Sequence, residues 1–176
     1  ALSEEEIAVT IGKVDEVVEI ELVNSFIKGN IALTKVDEDY PDNKLSGAVF
    51  EVYSDTNGDG KLDNDDTLLG EMKELDGGVY QMSELRYGKY LVKETKAPTG
   101  FVLDEDVYAV SIEENGKTYT VENKAGVGFI NAAQKGFLKI VKTSSDGKVE
   151  GFSFRVTGVD YDQTFKTDKN GEIVIE

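Results

Sequence analysis

The chain has no cysteine, no histidine and no tryptophan, and only two of its 176 residues are proline. The first two absences remove whole classes of chemistry. Ser-His-Asp and Cys-His catalysis, thiolate or imidazole zinc sites and disulfides each need one of those side chains. Basic residues are also scarce: 19 Lys and Arg stand against 35 Asp and Glu, for a formal charge of −16 and a pI near 4.4. That balance excludes nucleic acid, because binding a polyphosphate needs clustered cations. The three lysines from Lys135 to Lys142 are too small a patch to change this. No apolar run approaches the ~20 residues of a helical membrane span, and no basic n-region with an apolar h-region opens the chain. Membrane insertion is therefore not expected. The length suits one full domain plus a fraction, so the chain reads as a segment of a longer protein.

What is present is carboxylate and lysine chemistry on a chain with enough apolar residues, 39%, to bury a core despite a mean hydropathy of −0.34. Apolar and polar residues alternate in Ile31-Ala32-Leu33-Thr34-Lys35-Val36 and in Tyr108-Ala109-Val110-Ser111-Ile112. Period two predicts strands with one buried face. Ala48 to Tyr53, Val79 to Met82, Lys89 to Glu94, Lys117 to Val121, Gly128 to Asn131, Phe137 to Lys142, Phe152 to Val156 and Ile173 to Ile175 read the same way. Turn pairs such as Asn57-Gly58, Asn115-Gly116, Asp146-Gly147 and Asn170-Gly171 punctuate them. Leu2 to Ile7 and Asp63 to Leu69 are the two candidates for short helices. The expected class is all-β, and the strand spacing favours a sandwich.

The chain also resembles itself. Val23-Asn24-Ser25-Phe26-Ile27-Lys28-Gly29 matches Ile130-Asn131-Ala132-Ala133-Gln134-Lys135-Gly136, and each is followed by an alternating strand with a lysine. Asn24 and Asn131 are 107 positions apart, as are Lys35 and Lys142. Leu45 to Phe50 pairs similarly with Val149 to Phe154, and Leu2 to Ile11 with Leu103 to Ile112. A fixed offset signals tandem modules. The expected organisation is one complete module over 29–135, the last strands of a preceding module over 1–28, and the first strands of a following one over 136–176.

The string Tyr87-Gly88-Lys89-Tyr90-Leu91-Val92-Lys93-Glu94-Thr95-Lys96-Ala97-Pro98-Thr99-Gly100-Phe101 follows a Leu33-Thr34-Lys35-Val36-Asp37 strand and precedes Phe129-Ile130-Asn131. In that order the three motifs resemble the CnaB-type, prealbumin-like repeat of Gram-positive surface proteins and pilins. The resemblance covers 29–135 fully and the flanks in part. It implies a Greek-key β-sandwich and a spontaneous isopeptide bond, with Lys35 as the amine, Asn131 as the amide electrophile and Glu94 as the proton shuttle. Asn24 and Lys142 are the corresponding positions of the partial modules.

The chemistry needs these residue types. A desolvated lysine loses its proton more easily, and only the neutral amine attacks a carbonyl. A carboxyl group in the same dry pocket stays protonated, so it can polarise the Asn131 carbonyl and protonate the departing ammonia. The alternation puts Lys35 on the same face as Leu33. Without the resemblance, the same three residues read as a solvated strand lysine, a surface carboxylate and a turn asparagine.

Asp55-Thr56-Asn57-Gly58-Asp59-Gly60-Lys61-Leu62-Asp63-Asn64-Asp65-Asp66 fits the calcium-loop pattern D-x-[DN]-x-[DN]-G with an acid at position twelve. It looks more like a dockerin loop than a standard EF-hand, because the flanks read as strand. Calcium is the one cofactor this suggests, with Asp55, Asn57, Asp59, the Lys61 carbonyl and Asp66 as ligands and Asp63 acting through water. The alternative for the same residues is an acidic, glycine-rich hairpin loop without metal. No organic cofactor is expected.

Phe50, Tyr80, Tyr90, Phe129, Phe152 and Phe154 fall on alternating strand positions, which suits core packing better than a carbohydrate platform. The reading that follows from the resemblance is a stalk or spacer segment of a cell-wall-anchored Gram-positive adhesin or pilin-like protein. Such a segment lies outside the cell and has neighbouring modules of its own chain as partners. It crosslinks itself once and is not an enzyme with a substrate. Host proteins or glycans would be met through another domain. The rival is an adhesin module that itself grips a host matrix protein or glycan. A carboxylate-pair hydrolase would need two inward acids, and only Glu94 is placed so.

Overall fold

A computed structural model describes residues 6–158 and 161–175 of the chain. Among them there is no helix; thirteen strands carry the fold. Contacts divide the chain into two compact units, Ala1–Ala133 and Gln134–Glu176.

The first unit is a two-sheet sandwich. One sheet runs in the order β4 (Lys73–Asp76), β5 (Val79–Arg86), β1 (Lys28–Asp37), β8 (Thr118–Thr120), with β9 (Phe129–Asn131) also paired to β1. The other runs β3 (Thr67–Glu71), β2 (Val49–Ser54), β6 (Gly88–Lys96), β7 (Val107–Ile112). The pairs are antiparallel except for β8 and β9, which run parallel to β1. Strands whose apolar residues alternate turn those residues inward. Ile31 and Leu33 of β1, Phe50 and Val52 of β2, Tyr90 and Val92 of β6, and Phe129 of β9 form one buried cluster with Tyr80 and Ile112. The rings of Phe50 and Phe129 meet edge to face at 4.9 Å, and Tyr108 and Tyr80 extend the stack at 5.1 Å on either side.

Two glycines let the backbone approach β1. Gly78 has φ +84°, and its carbonyl accepts the Lys35 N–H at 2.7 Å. A Cβ there would lie 2.9 Å from the Leu45 backbone. Gly128 has φ +135°, and a Cβ on it would meet Thr34 O at 2.9 Å, in the segment that brings β9 against β1.

The second unit repeats the start of the first. β10 (Leu138–Val141) pairs antiparallel with β13 (Glu172–Ile175), placing Ile140 opposite Ile173 as Leu33 lies opposite Tyr80. Lys142 N–H donates to Gly171 O at 2.8 Å, and Gly171 has φ +81°, the same arrangement as at Lys35 and Gly78. β11 (Ser153–Gly158) and β12 (Tyr161–Lys166) pair antiparallel, as β2 and β3 do.

Several details differ from the sequence expectations. Asp63 to Leu69 is not helical: Asp63 to Asp66 turns, and Thr67 and Leu68 pair with Ser54 and Tyr53 in β3. Cross-strand pairing outweighs the weak local helical pattern. The other candidate helix, Leu2 to Ile7, falls almost wholly outside the described residues, and Ile7 is not helical. Residues 6–27 contain no strand, and Ile7, Val9, Ile11, Ile20 and Leu22 are exposed despite their alternation. In the second unit Phe152 is exposed and Phe154 half-buried, so neither is a core residue there.

Candidate functional site

β1 carries Lys35 inward, one step along the face from Leu33, and the side chain is fully buried. β6 carries Glu94 inward behind Tyr90 and Val92, also at 0% exposure, opposite Phe50. β9 lies parallel to β1 with Phe129 opposite Lys35, so Asn131, two residues on and 3% exposed, faces the same pocket. Three positions far apart in sequence thus meet in the core between the sheets.

Lys35 Nζ lies against Asn131 Oδ1 and donates to Phe129 O at 3.1 Å. Asn131 Nδ2 donates to Glu94 Oε2 at 2.8 Å and to Val102 O at 2.7 Å. Glu94 Oε2 accepts a second bond, from the Asp104 N–H at 2.9 Å. Glu94 Oε1 has no hydrogen-bond partner and lies 3.9 Å from Lys35 Nζ. It is thus Nδ2 of Asn131, rather than its carbonyl oxygen, that touches the carboxyl group.

Desolvation dominates the electrostatics of the pocket. Burial pulls the Lys35 amine down to about 8, against partial opposition from the charges of Glu94 and Asp104. Burial likewise pushes Glu94 up, outweighing the bonds from Asp104 and Asn131 and the charge of Lys35. Both shifts favour the neutral forms. Because Oε2 already accepts two N–H bonds, a proton on Glu94 belongs on Oε1, the oxygen facing the amine.

The residues behind these groups carry no motif of their own. Asp104, in the loop between β6 and β7, accepts bonds from Asn123 Nδ2 at 2.7 Å, Tyr108 Oη at 2.8 Å and Asp106 N–H at 2.9 Å. Burial pushes its carboxyl group up, but these bonds outweigh it and hold Asp104 below its ordinary value. Asp104, Asn123 and Tyr108 stand in no recognisable spacing.

The remaining predicted positions lie elsewhere. Asn24 is exposed in the strandless stretch 6–27. Lys142 is half-buried; its Nζ donates to Thr143 O and lies 4.8 Å from the centre of the Phe152 ring. In the acidic loop, Asp55 is buried and accepts from Gly58 N–H at 2.7 Å and Gly60 N–H at 3.1 Å. Asn57, Asp59 and Asp63 accept from the amides of Asp59, Lys61 and Asp65, and Asp66 accepts from Thr56 and Asp63. Among the described residues no three acidic side chains group as a metal site. The loop oxygens close the turn on itself, and calcium there rests on the sequence pattern.

Residues 29–125 match the family SpaA, described as a prealbumin-like fold domain. Among solved structures, the chain is similar to the Bacillus anthracis TIE protein, at 27% identity and a TM-score of 0.66, over 85% of this chain and 26% of that one. It is also similar to BcpA, the major pilin subunit of Bacillus cereus, at 28% identity and a TM-score of 0.46, over 61% of this chain and 31% of that one. A third is GBS52, the minor pilin of Streptococcus agalactiae, at 28% identity and a TM-score of 0.45, over 68% and 49%. The chain therefore spans about a quarter of the TIE protein's length and under half of either pilin's. No curated protein matches it.

Proposed function

Because this chain belongs to the SpaA family of prealbumin-like fold domains, we propose that residues 29–135 form a load-bearing spacer locked by an isopeptide bond between Lys35 and Asn131. The observation that carries this reading is the dry pocket in which Lys35, Glu94 and Asn131 meet with both ionisable groups shifted toward neutrality.

The chemistry is one balanced condensation. The neutral Nζ attacks Cγ of Asn131, and a C–N bond forms. Glu94 hands its proton to Nδ2 and, as the carboxylate, takes one from Nζ. The Cγ–Nδ2 bond breaks and ammonia leaves, with Glu94 again neutral. Glu94 Oε2 and Val102 O already hold the leaving nitrogen, so a turn of the carboxyl group in place is enough to bring its Oε1 proton to Nδ2. The protein is consumed in a single turnover, so this is not enzymatic catalysis.

Topology gives the bond its purpose. β1 opens the module and β9 closes it, side by side and parallel. A pull on the two ends loads these neighbours in opposite directions. With Lys35 joined to Asn131 the load passes from β1 straight into β9 and bypasses the 94 to 96 residue separations that these contacts span. A chain without cysteine gains a crosslink that reduction cannot open. We place the segment outside the cell, in a wall-anchored surface protein or pilus of a Gram-positive bacterium. Its partners there are neighbouring modules, and host recognition is left to other domains.

The test is an intact-mass measurement. The folded protein is expected to weigh one ammonia less than its sequence, and Lys35→Ala is expected to restore the full mass. An unmodified mass in the folded wild-type chain overturns the proposal.

A further inference from the structure

Asn123 lies in the turn between β8 and β9 and touches neither Lys35 nor Glu94. Its side chain nevertheless holds two segments that do touch them. Asn123 Oδ1 accepts the Ile130 N–H at 2.6 Å, and Nδ2 donates to Ile130 O at 2.9 Å. Both backbone groups of the residue before Asn131 are thereby pinned. The remaining Nδ2 hydrogen goes to Asp104 Oδ2 at 2.7 Å, across 19 residues of sequence.

Asp104 belongs to the loop that supplies the pocket with backbone groups. Its N–H bonds Glu94 Oε2, and two residues earlier Val102 O accepts from Asn131 Nδ2. Val102 N–H donates to Ala132 O at 2.9 Å, so the loop holds both the Asn131 side chain and the backbone just after it. A turn asparagine that only stabilised its own turn would need the Ile130 bonds alone. The bond to Asp104 instead ties the strand holding the electrophile to the loop that orients the acid.

We infer that Asn123 is a positioning residue for the Lys35–Asn131 linkage, clamping the backbone beside Asn131 to Asp104 and through it to Glu94. This rests on the crosslinking reading above. Tyr108 acts on the same clamp from the other side, through its hydroxyl on Asp104 Oδ2. The effect is large because misplacing a reacting group by ~1 Å can cost on the order of a hundredfold in rate.

The test follows ammonia loss over time, by intact mass, in freshly synthesised full-length chain. Asn123→Ala is expected to slow crosslinking by about tenfold or more. Asn123→Asp is expected to be slower still, since it sets two carboxylates against each other and removes both donors. The exchanged pair Asp104→Asn with Asn123→Asp restores a donor and an acceptor between the two positions and is expected to recover most of that loss. Tyr108→Phe, which keeps the ring against Phe129, is expected to slow the reaction several-fold. Each substitution is also made in a Lys35→Met chain, where circular dichroism and melting report folding without the crosslink.

Wild-type rates in Asn123→Ala overturn the inference. So does an exchanged pair as slow as Asn123→Asp while its Lys35→Met counterpart is folded. If Asn123→Ala does not fold, Tyr108→Phe decides by its rate alone. A wild-type chain that never loses ammonia sinks the crosslinking reading instead, so the two failures are distinguishable.

Discussion

Glu94→Gln is the sharpest perturbation of the pocket, because it changes one ionisable oxygen and almost no volume. The glutamine carbonyl oxygen can still accept the bonds from Asp104 N–H and Asn131 Nδ2 that Oε2 accepts now. What disappears is the transferable proton on Oε1, an atom with no hydrogen-bond partner. The variant is expected to fold with its full sequence mass. Its stability then lacks the crosslink, which closes a loop across 96 residues. By the chain-entropy relation for a covalent closure of ~100 residues, that contribution is about 4.7 kcal/mol. For a domain of this size each kcal/mol moves the melting temperature by roughly 4–8 °C, so a drop of roughly 20–40 °C is expected. Lys35→Met removes the same bond and also the buried amine, and should melt close to Glu94→Gln. The difference between the two reports the cost of the glutamine amide left facing Lys35. Calorimetry together with intact mass is the assay. A Glu94→Gln chain that still loses ammonia refutes the proton-transfer argument. One that keeps the full mass but melts within a few degrees of wild type refutes the argument from loop closure.

The productive pair, neutral Lys35 with protonated Glu94, holds one proton between them, so the crosslinking rate should fall at both pH extremes. On the acid side the loss is protonation of the Lys35 amine, whose value is pulled down to about 8, and on the alkaline side it is ionisation of Glu94, which burial raises above the ordinary glutamate value; a rate that keeps climbing beyond pH 10 contradicts this. In single-molecule pulling, Glu94→Gln is expected to release about 300 Å of extension that the wild type withholds, at ~3.3–3.6 Å per residue over the bridged segment; equal extensions contradict the load path. Asn24 should keep its amide and Lys142 its amine, because Asn24 is exposed and Lys142 only half-buried, so neither sits in a dry pocket; a tandem mass spectrum joining Lys142 to Asn24 overturns that. Millimolar calcium is expected to slow proteolysis between Asp55 and Asp66 and to give a calorimetric heat; no heat and unchanged cleavage leave a loop closed by its own amides.

Much of this was readable from residues alone, for a specific reason. Period-two alternation reports which face of a strand is buried, so it identified the inward Lys35 beside Leu33 and most of the strands. The offset that relates Asn24 to Asn131 and Lys35 to Lys142 also relates Leu33 to Ile140, which face Tyr80 and Ile173 across their strand pairs. Chemistry was bounded even more firmly, since a chain without histidine or cysteine has few ways to form a covalent link.

Alternation says nothing about which strand lies opposite. The parallel placement of β9 on β1, the two N–H bonds crowded onto one oxygen of Glu94, and the link from Asn123 to Asp104 all depend on distances across the sandwich. Such distances follow from sheet order and register, which no local window encodes. The same limit explains two departures from the sequence reading. Thr67 to Leu69 became strand because β2 offered it a partner, and residues 6–27 kept their alternating pattern without forming strands because a strand exists only through its pairing.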